Sequence, residues 1–225
     1  MKLILFDIDG TLLLSKGAGA AATRLAMQEV FGTVGTLDRF QFGGKTDWQM
    51  LLETLEGLIV PEVIQTQLKR YDGVLAHHLE AIIDNFETRP CAGAQTLLQR
   101  CLDNSQMAVG LITANMPTSA GIKLRAAGYE PTAFHFGVFG SEAVHRSDLA
   151  PIALRRAKQT FGYPPEQVWM IGDTPEDIAC AKACGANVLA VATGRYSADA
   201  LAGYHPTHVV ENLADTDLIW SLLTR

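Results

Sequence analysis

The sequence has no cluster of basic residues and no long apolar run, and each absence narrows the classes of function. Among its 225 residues, 24 acidic side chains outnumber 18 basic ones, which gives a formal net charge of −6. An acidic chain without a Lys/Arg run is not typical of nucleic-acid-binding proteins, so we expect no nucleic acid among its partners. No stretch approaches the roughly 18 uninterrupted apolar residues of a membrane-spanning helix, so we expect no membrane contact either.

The chain is also poor in cysteine. Cys91, Cys101, Cys180 and Cys184 form no CxxC pair, and no nearby histidine completes a metal site around the last two. We therefore expect buried free thiols in a reducing compartment. The amino terminus leads directly into an apolar segment and lacks the charged, apolar and small-residue regions of a signal peptide. Both features favour a cytoplasmic protein.

A predicted buried strand near the amino terminus ends in two carboxylates. Residues 3–6 are an unbroken apolar run, as expected of a strand that is buried on both faces. Asp7 and Asp9 follow at once, and Gly10 can turn the chain so that both side chains face one cleft. Open α/β sheets place their binding sites at the carboxyl ends of parallel strands. An ordinary turn would also explain the pattern, whereas a calcium loop needs Glu at its twelfth position, which is Ala18 here.

The rest of the chain divides into a helical block and an alternating block. Residues 15–88 have the patterns of helices alone. From Pro90 onward, short apolar strands alternate with helices, which is typical of a doubly wound parallel α/β sheet. We predict a core domain of residues 1–14 and 89–225, with a small all-helical cap domain, residues 15–88, inserted after the first strand.

Three predicted strands end in polar residues, namely Asp7 with Asp9, Thr113 with Asn115, and Asp173. Carboxylates that meet at one sheet edge repel each other unless a cation neutralises them, and oxygen ligands favour Mg²⁺. Beside such an ion, an ionised Asp7 can attack phosphorus and form an aspartyl-phosphate. Asp9 can protonate the leaving alkoxide and later take a proton from water, while the Thr113 hydroxyl and backbone N–H groups hold the phosphoryl oxygens.

These residues resemble the motifs of the haloacid dehalogenase superfamily, in its phosphatase branch. Residues 7–11, Asp-Ile-Asp-Gly-Thr, match the first motif, Thr113 the second, and residues 172–177, Gly-Asp-Thr-Pro-Glu-Asp, the fourth. Their order and strand-end placement agree over essentially the whole chain. The resemblance implies the Rossmann-like core of that family, a helical cap where the inserted block lies, a nucleophile at Asp7 and an acid/base at Asp9.

The resemblance also implies the residues that bind metal and phosphate. Mg²⁺ would be held by Asp7, the backbone carbonyl of Asp9 and Asp173, and Asp177 would support the metal shell or the basic residue. The candidates for phosphate or substrate binding are Gly10, Thr11, Asn115 and Lys45.

Two of these candidates have structural explanations as well. Lys45 lies in a Gly-Gly-Lys-Thr-Asp segment that is similar to the substrate-facing cap segment of phosphoglycolate phosphatase-like members, but it could equally lie at the surface beside a helix cap. Asn115 could contact phosphate or only cap the helix that begins at Pro117. The residue pattern leaves both alternatives open.

The third motif departs from the commonest pattern of the family, which has a lysine ahead of the fourth motif. The candidate here is Arg146, slightly farther from Asp173 than that lysine usually lies. Arginine can neutralise both Asp7 and phosphate through its planar fork of N–H donors. A surface loop position is the alternative for Arg146, and Lys158, inside a predicted helix, is the rival cation.

The sequence thus favours a Mg²⁺-dependent phosphatase that acts on a small phosphorylated metabolite, similar to phosphoglycolate phosphatase. A dehalogenase would also use Asp7 but typically lacks the acid at Asp9, and a phosphomutase of the β-phosphoglucomutase kind is excluded less firmly. A non-catalytic binding module would not need the full set of Asp7, Asp9, Thr113 and Asp173. The pattern does not identify the substrate or decide between a monomer and a homodimer.

Overall fold

The computed structural model describes residues 1–224 and contains eight β-strands. They are Lys2–Phe6 (β1), Leu13–Leu14 (β2), Arg89–Pro90 (β3), Met107–Ile112 (β4), Phe136–Val138 (β5), Gln167–Gly172 (β6), Asn187–Val191 (β7) and His208–Val210 (β8). Six of them form one sheet in the order β5-β4-β1-β6-β7-β8, and every neighbouring pair is parallel. The predicted parallel α/β fold is confirmed.

Nine α-helices accompany these strands within the described residues. They are Ala18–Phe31 (α1), Asp47–Thr54 (α2), Pro61–Ile82 (α3), Ala94–Leu102 (α4), Pro117–Ala126 (α5), Leu149–Phe161 (α6), Pro175–Ala183 (α7), Ala198–Ala202 (α8) and Thr216–Thr224 (α9). Proline opens α3, α5 and α7, where its missing N–H costs no helical hydrogen bond. None of the described helices is both long and apolar enough to cross a membrane.

The position of β1 decides where the polar residues meet. It lies between β4 and β6, and Phe6 is level with Leu111 and with Ile171. The residues that follow these three strands therefore emerge at the same edge of the sheet. This register brings Asp7, Thr113 and Asp173 to one place although they are far apart in the chain.

Alternation along β1 supplies both faces of the central core. Ile4 and Phe6 belong to one apolar cluster, and Leu3 and Leu5 belong to the cluster on the opposite face. All four side chains are buried, and each such side chain contributes about 1.5–3 kcal/mol relative to an exposed one. The central strand is thus held from both sides, which fixes the position of the carboxylates at its end.

A third apolar cluster joins α1, α2 and α3. It also contains Met116, the residue before α5, and Ile122, in the middle of α5. The helices of residues 18–82 therefore pack on the core next to the strand ends. The chain passes between the two parts at β2 and β3, which pair antiparallel with Leu13 opposite Pro90.

Candidate active site

Asp7 lies at the centre of the strand-end cluster, directly after β1. Its side chain is buried, and its Oδ1 accepts a hydrogen bond of 2.7 Å from Nη2 of Arg146. The same nitrogen donates to Oδ1 of Asp177 at 2.5 Å and to the carbonyl of Ile112 at 3.2 Å. Arg146 belongs to the 3₁₀ turn Arg146–Asp148 that leads into α6. The structure thus places Arg146 rather than Lys158 against Asp7, since Lys158 is exposed on α6.

Burial and charge give these groups unusual proton affinities. Burial raises the pKa of Asp7 to about 7, against the effect of Arg146 and together with the negative charge of Asp177. Burial also raises the pKa of Asp173, and the charges of Asp177 and Asp7 raise it further. Burial opposes the charge of Arg146, but Asp177 and Asp7 outweigh this effect and raise its pKa. More negative than positive charge is therefore buried here, which is the setting that favours a bound cation.

The carboxylates also have the arrangement that a metal needs. One oxygen from each of Asp7, Asp173 and Asp177 lies within 4.8 Å of the other two. Two glycines leave room for the Asp173 carboxylate, because a Cβ on Gly10 would lie 2.2 Å, and one on Gly194 1.7 Å, from its Oδ2. Gly10 also has a positive φ of 82°, which favours glycine. These all-oxygen donors fit a hard divalent cation such as Mg²⁺.

Asp177 has other partners that limit its use as a metal ligand. Its Oδ1 accepts from Arg146, and its Oδ2 accepts from the backbone N–H and the hydroxyl of Thr174 at 3.0 and 2.6 Å. The two residues form a capping box at the start of α7. This geometry fits the role of holding Arg146 in place better than the role of a direct ligand.

The Asp9 side chain has partners other than Arg146. Its Oδ2 accepts from Nδ2 of Asn115 at 2.7 Å, its Oδ1 accepts from the hydroxyl of Ser15 at 3.3 Å, and Nζ of Lys123 donates to both oxygens at 3.0 and 2.8 Å. Burial works against ionisation of Asp9, but Lys123, Asn115 and Ser15 together outweigh it and lower its pKa.

The other predicted phosphate-binding residues lie around the two aspartates. Thr113 is buried, and its hydroxyl oxygen accepts from the backbone N–H of Asn115 and from its Nδ2. Thr11 is buried and its hydroxyl lies 3.5 Å from Oδ1 of Asp173. The alternative that Asn115 caps α5 is wrong, because α5 has no side-chain cap and the Asn115 side chain joins Asp9 to Thr113. Contact of Asn115 with phosphate stays a prediction.

A cavity of about 400 Å³ lies between the strand ends and α1–α3. Its core side includes Asp7, Asp9 and Asp173, and its opposite side includes Leu75 and Leu79. A small metabolite fits this space, with its reacting group at the carboxylates.

The segment before α2 closes the cavity against the core. The backbone N–H of Asp47 donates to the carbonyl of Ala114 at 2.9 Å, and the Thr46 hydroxyl donates to the carbonyl of Val144 at 2.5 Å. Nη1 of Arg146 donates to the carbonyl of Gly44 at 3.3 Å. The structure therefore shows the helical block docked over the site.

Lys45 lines the mouth of this cavity and is half-buried. Its Nζ pairs with Glu53 at 2.6 Å, while Thr46 caps α2 by accepting from the N–H of Gln49. Both explanations offered for Lys45 thus retain support, because it borders the cavity and also neighbours a helix cap.

Lys123 is the site residue that the sequence reasoning missed. It is buried on α5, between Ile122 and Leu124, which are buried as well. The available signal was a charged residue between two apolar ones, on the helix that follows Thr113 and Asn115. Lysine is seldom fully buried without a partner, so the signal called for a carboxylate nearby.

Comparisons with known proteins agree with this geometry. A family model described as HAD-hydrolase-like matches residues 145–216, which carry Arg146, Asp173 and Asp177. The solved structure of a hydrolase from Pseudomonas syringae superposes with a TM-score of 0.71 over 100% of this chain and 99% of that one, at 21% identity. Residues 145–216 are thus similar to HAD-like hydrolases in sequence, and the whole chain has the fold of a solved hydrolase.

Two curated relatives are similar along nearly the whole of this chain. Pyrophosphatase PpaX of Oceanobacillus iheyensis is 23% identical over 215 residues, which cover 96% of this chain and 94% of the relative. Phosphoglycolate phosphatase 1 of Pseudomonas aeruginosa is 26% identical over 216 residues, covering 95% of this chain and 78% of the relative. The resemblance inferred from the motifs is confirmed, and the relatives differ in the substrates that they are named for.

Proposed function

We propose that this hydrolase is a Mg²⁺-dependent phosphatase that cleaves a small phosphomonoester through an aspartyl-phosphate on Asp7. The observation that carries the proposal is the contact between Asp7 and Arg146, beside Asp173 and at the inner end of the cavity. A buried carboxylate that is fixed by an arginine and adjoins further carboxylates suits attack on an anionic phosphoryl group. Two curated relatives bear names of phosphate-releasing enzymes.

Asp7 and Asp173 would hold the metal, together with the backbone carbonyl of Asp9. When bound, Mg²⁺ supplies positive charge that screens the phosphoryl oxygens from Asp7 and stabilises the transition state. Arg146 keeps the Asp7 carboxylate oriented and adds a second positive charge. The Thr113 hydroxyl and the N–H groups after β1 can donate to phosphoryl oxygens, since they lie at the same edge of the sheet.

The two chemical steps use Asp7 and Asp9 in turn. An oxygen of Asp7 forms a bond to phosphorus while the bond from phosphorus to the leaving oxygen breaks, and Asp9 gives that oxygen its proton. Asp9 then takes a proton from a water molecule as the water attacks phosphorus, which releases phosphate and restores the Asp7 carboxylate. Residues 15–88, docked over the cavity, act in this proposal as a cap that limits access of water.

Turnover of p-nitrophenyl phosphate with and without Mg²⁺ tests the proposal. We expect Mg²⁺-dependent release of phosphate in the wild type and none above background in Asp7→Asn, which keeps the shape of the side chain but removes the nucleophile. Asp84→Asn, at an exposed position, is the matched control with unchanged turnover. Wild-type rates in Asp7→Asn, or no turnover of any phosphomonoester with Mg²⁺, would refute the proposal.

Product analysis separates hydrolysis from phosphoryl transfer. With a sugar phosphate as substrate, a phosphatase releases inorganic phosphate and free sugar in equal amounts. A phosphomutase of the β-phosphoglucomutase kind would instead yield an isomeric sugar phosphate with little free phosphate. We expect equal release.

A further inference from the structure

Buried Lys123 and Asn115 form a network with Asp9, whose own side chain is 40% exposed, and the proposed steps do not account for it. Nζ of Lys123 lies 3.0 and 2.8 Å from the two Asp9 oxygens and 2.6 Å from Oδ1 of Asn115, whose Nδ2 also donates to Asp9. The Lys123 side chain is only 8% exposed. A charge buried to this extent needs its partners, so Lys123, Asn115 and Asp9 hold one another in a fixed arrangement.

The position of Lys123 on α5 explains how it reaches the strand end. The Cα–Cβ bonds of a helix point toward its amino terminus, so the long side chain runs back along α5 to the edge of the sheet. On its other side lies α1, where a Cβ on Gly19 would be 3.0 Å from Nζ and 3.2 Å from Cε of Lys123. Gly19 has no positive φ within its helix, so its missing side chain serves to leave space for Lys123.

We propose that Lys123 is a positioning residue for Asp9, an inference that rests on the proposed acid/base role of Asp9. Hydrogen bonds from Lys123 and Asn115 fix the orientation of the Asp9 carboxyl group at the cavity. Asp9 accepts all of these hydrogen bonds and must therefore first take up a proton from solvent. A carboxyl group with a fixed orientation can then deliver that proton to the leaving oxygen as the bond to phosphorus breaks. Because Gly19 belongs to α1, this orientation also depends on the docked position of the cap.

Two aryl esters of similar shape provide the test. Phenyl phosphate needs a proton on its leaving oxygen, whereas p-nitrophenolate leaves as a stable anion. We expect Lys123→Met to lower kcat/KM for phenyl phosphate about 10-fold more than for p-nitrophenyl phosphate, a part of the roughly 10²- to 10⁴-fold that a placed acid supplies. Lys69→Met, at an exposed position on α3, is the matched control with both values unchanged.

A double variant tests whether Lys123 acts through Asp9. In an Asp9→Asn background, Lys123→Met should change kcat/KM by less than about twofold, because residues that act as a unit are not additive. A further loss of the full single-variant factor, or an equal loss for both esters, would show that Lys123 contacts substrate itself and would overturn the proposal. Absence of turnover in the wild type would instead refute the proposed function.

Gly19→Ala gives a second test that does not depend on the folding of Lys123→Met. Alanine suits a helix better than glycine, so the melting temperature should stay the same or rise. The added methyl group would lie 3.0 Å from Nζ and shift it by a few tenths of an ångström, so we expect a selective loss on phenyl phosphate that is smaller than for Lys123→Met. Gly73→Ala, in α3 with no atom near its Cβ, is the control with unchanged kinetics. Wild-type selectivity in Gly19→Ala would overturn the proposal.

Discussion

Asp7 and Asp9 follow β1 with only one residue between them, but the charged side chains around them differ. Asp7, the proposed nucleophile, lies with Asp173 and Asp177 beside Arg146, which we call the nucleophile side, and its pKa rises to about 7 chiefly through burial. Asp9 lies instead among Ser15, Asn115 and Lys123, and its pKa is lowered because these three together outweigh burial. Neighbours rather than residue type thus set the proton affinity, which lets two aspartates have different roles.

Removal of Arg146, the basic side chain beside Asp7, should have the largest effect on activity and stability. In Arg146→Ala, Asp7 and Asp177 lose their buried partner, which costs about 3–5 kcal/mol of stability. We expect kcat/KM to fall by roughly 10²- to 10³-fold or more, as when a preorganised donor is lost. Kinetics and thermal melting measure both effects. Arg155→Ala, on the exposed part of α6, should match the wild type, and near-normal kinetics in Arg146→Ala would contradict its assigned role.

Mg²⁺ should stabilise the nucleophile side in a pH-dependent way. The pKa of Asp7 is raised on folding to about 7, so its ionisation costs stability as the pH rises from its ordinary pKa toward 7. Mg²⁺ offsets this cost only where the carboxylates are ionised. We expect Mg²⁺ to raise the melting temperature more at pH 8 than at pH 5. At a Mg²⁺ concentration of 100 times the Kd, the free energy of unfolding should rise by about 2.7 kcal/mol.

Asp173→Asn is the control for this measurement. It removes one of the carboxylates that would hold the ion, so the shift at pH 8 should disappear. A shift that is equal at both pH values, or one that persists in Asp173→Asn, would place the metal elsewhere.

The two aspartates themselves should respond to neutralisation with opposite signs. At pH 8 without metal, Asp7→Asn removes a charge whose pKa is raised, so the melting temperature should rise by about 2–4 °C, which corresponds to about 1 kcal/mol. Asp9→Asn removes the partner of buried Lys123, so the melting temperature should fall. Differential scanning calorimetry measures both. Shifts of the same sign would show that the two surroundings do not differ as described.

Lys45 should give the smallest effect, because its ion pair with Glu53 is half-exposed. Such pairs contribute about 0.2–1 kcal/mol, so Lys45→Met should lower the melting temperature only slightly. Since Lys45 borders the cavity mouth, we expect KM to rise several-fold with kcat nearly unchanged, as for uniform binding. A fall in kcat would instead indicate that Lys45 takes part in the chemical steps.

The sequence was sufficient to predict the site residues whose position follows from the order of the strands. Asp7, Thr113 and Asp173 each follow a buried apolar strand, and a parallel sheet brings such positions to one edge. The parallel sheet was predictable for the same reason, from strands that alternate with helices. These inferences need only local patterns and one rule of topology.

Side chains that reach the site from a distance were harder to find. Arg146 lies in a turn before α6, and it was found only through the third motif of the family that the chain resembles, which needs a cation there. Lys123 was missed because it sits well along α5, and its reach depends on side-chain direction and on the space beside Gly19. The contacts of Asn115 were also not foreseen, since they involve Lys123. Pairings of this kind depend on tertiary packing, which a single sequence does not display.

The antiparallel pairing of β2 with β3 has a consequence for how this architecture can vary. Leu13 lies opposite Pro90, so the polypeptide leaves the sheet and returns to it at adjacent points. An insertion whose two ends are neighbours can be exchanged without moving the strands that it interrupts. We therefore expect that a different module, inserted at this junction in place of residues 15–88, would leave the carboxylates at the strand ends in place while changing which molecules the cavity admits.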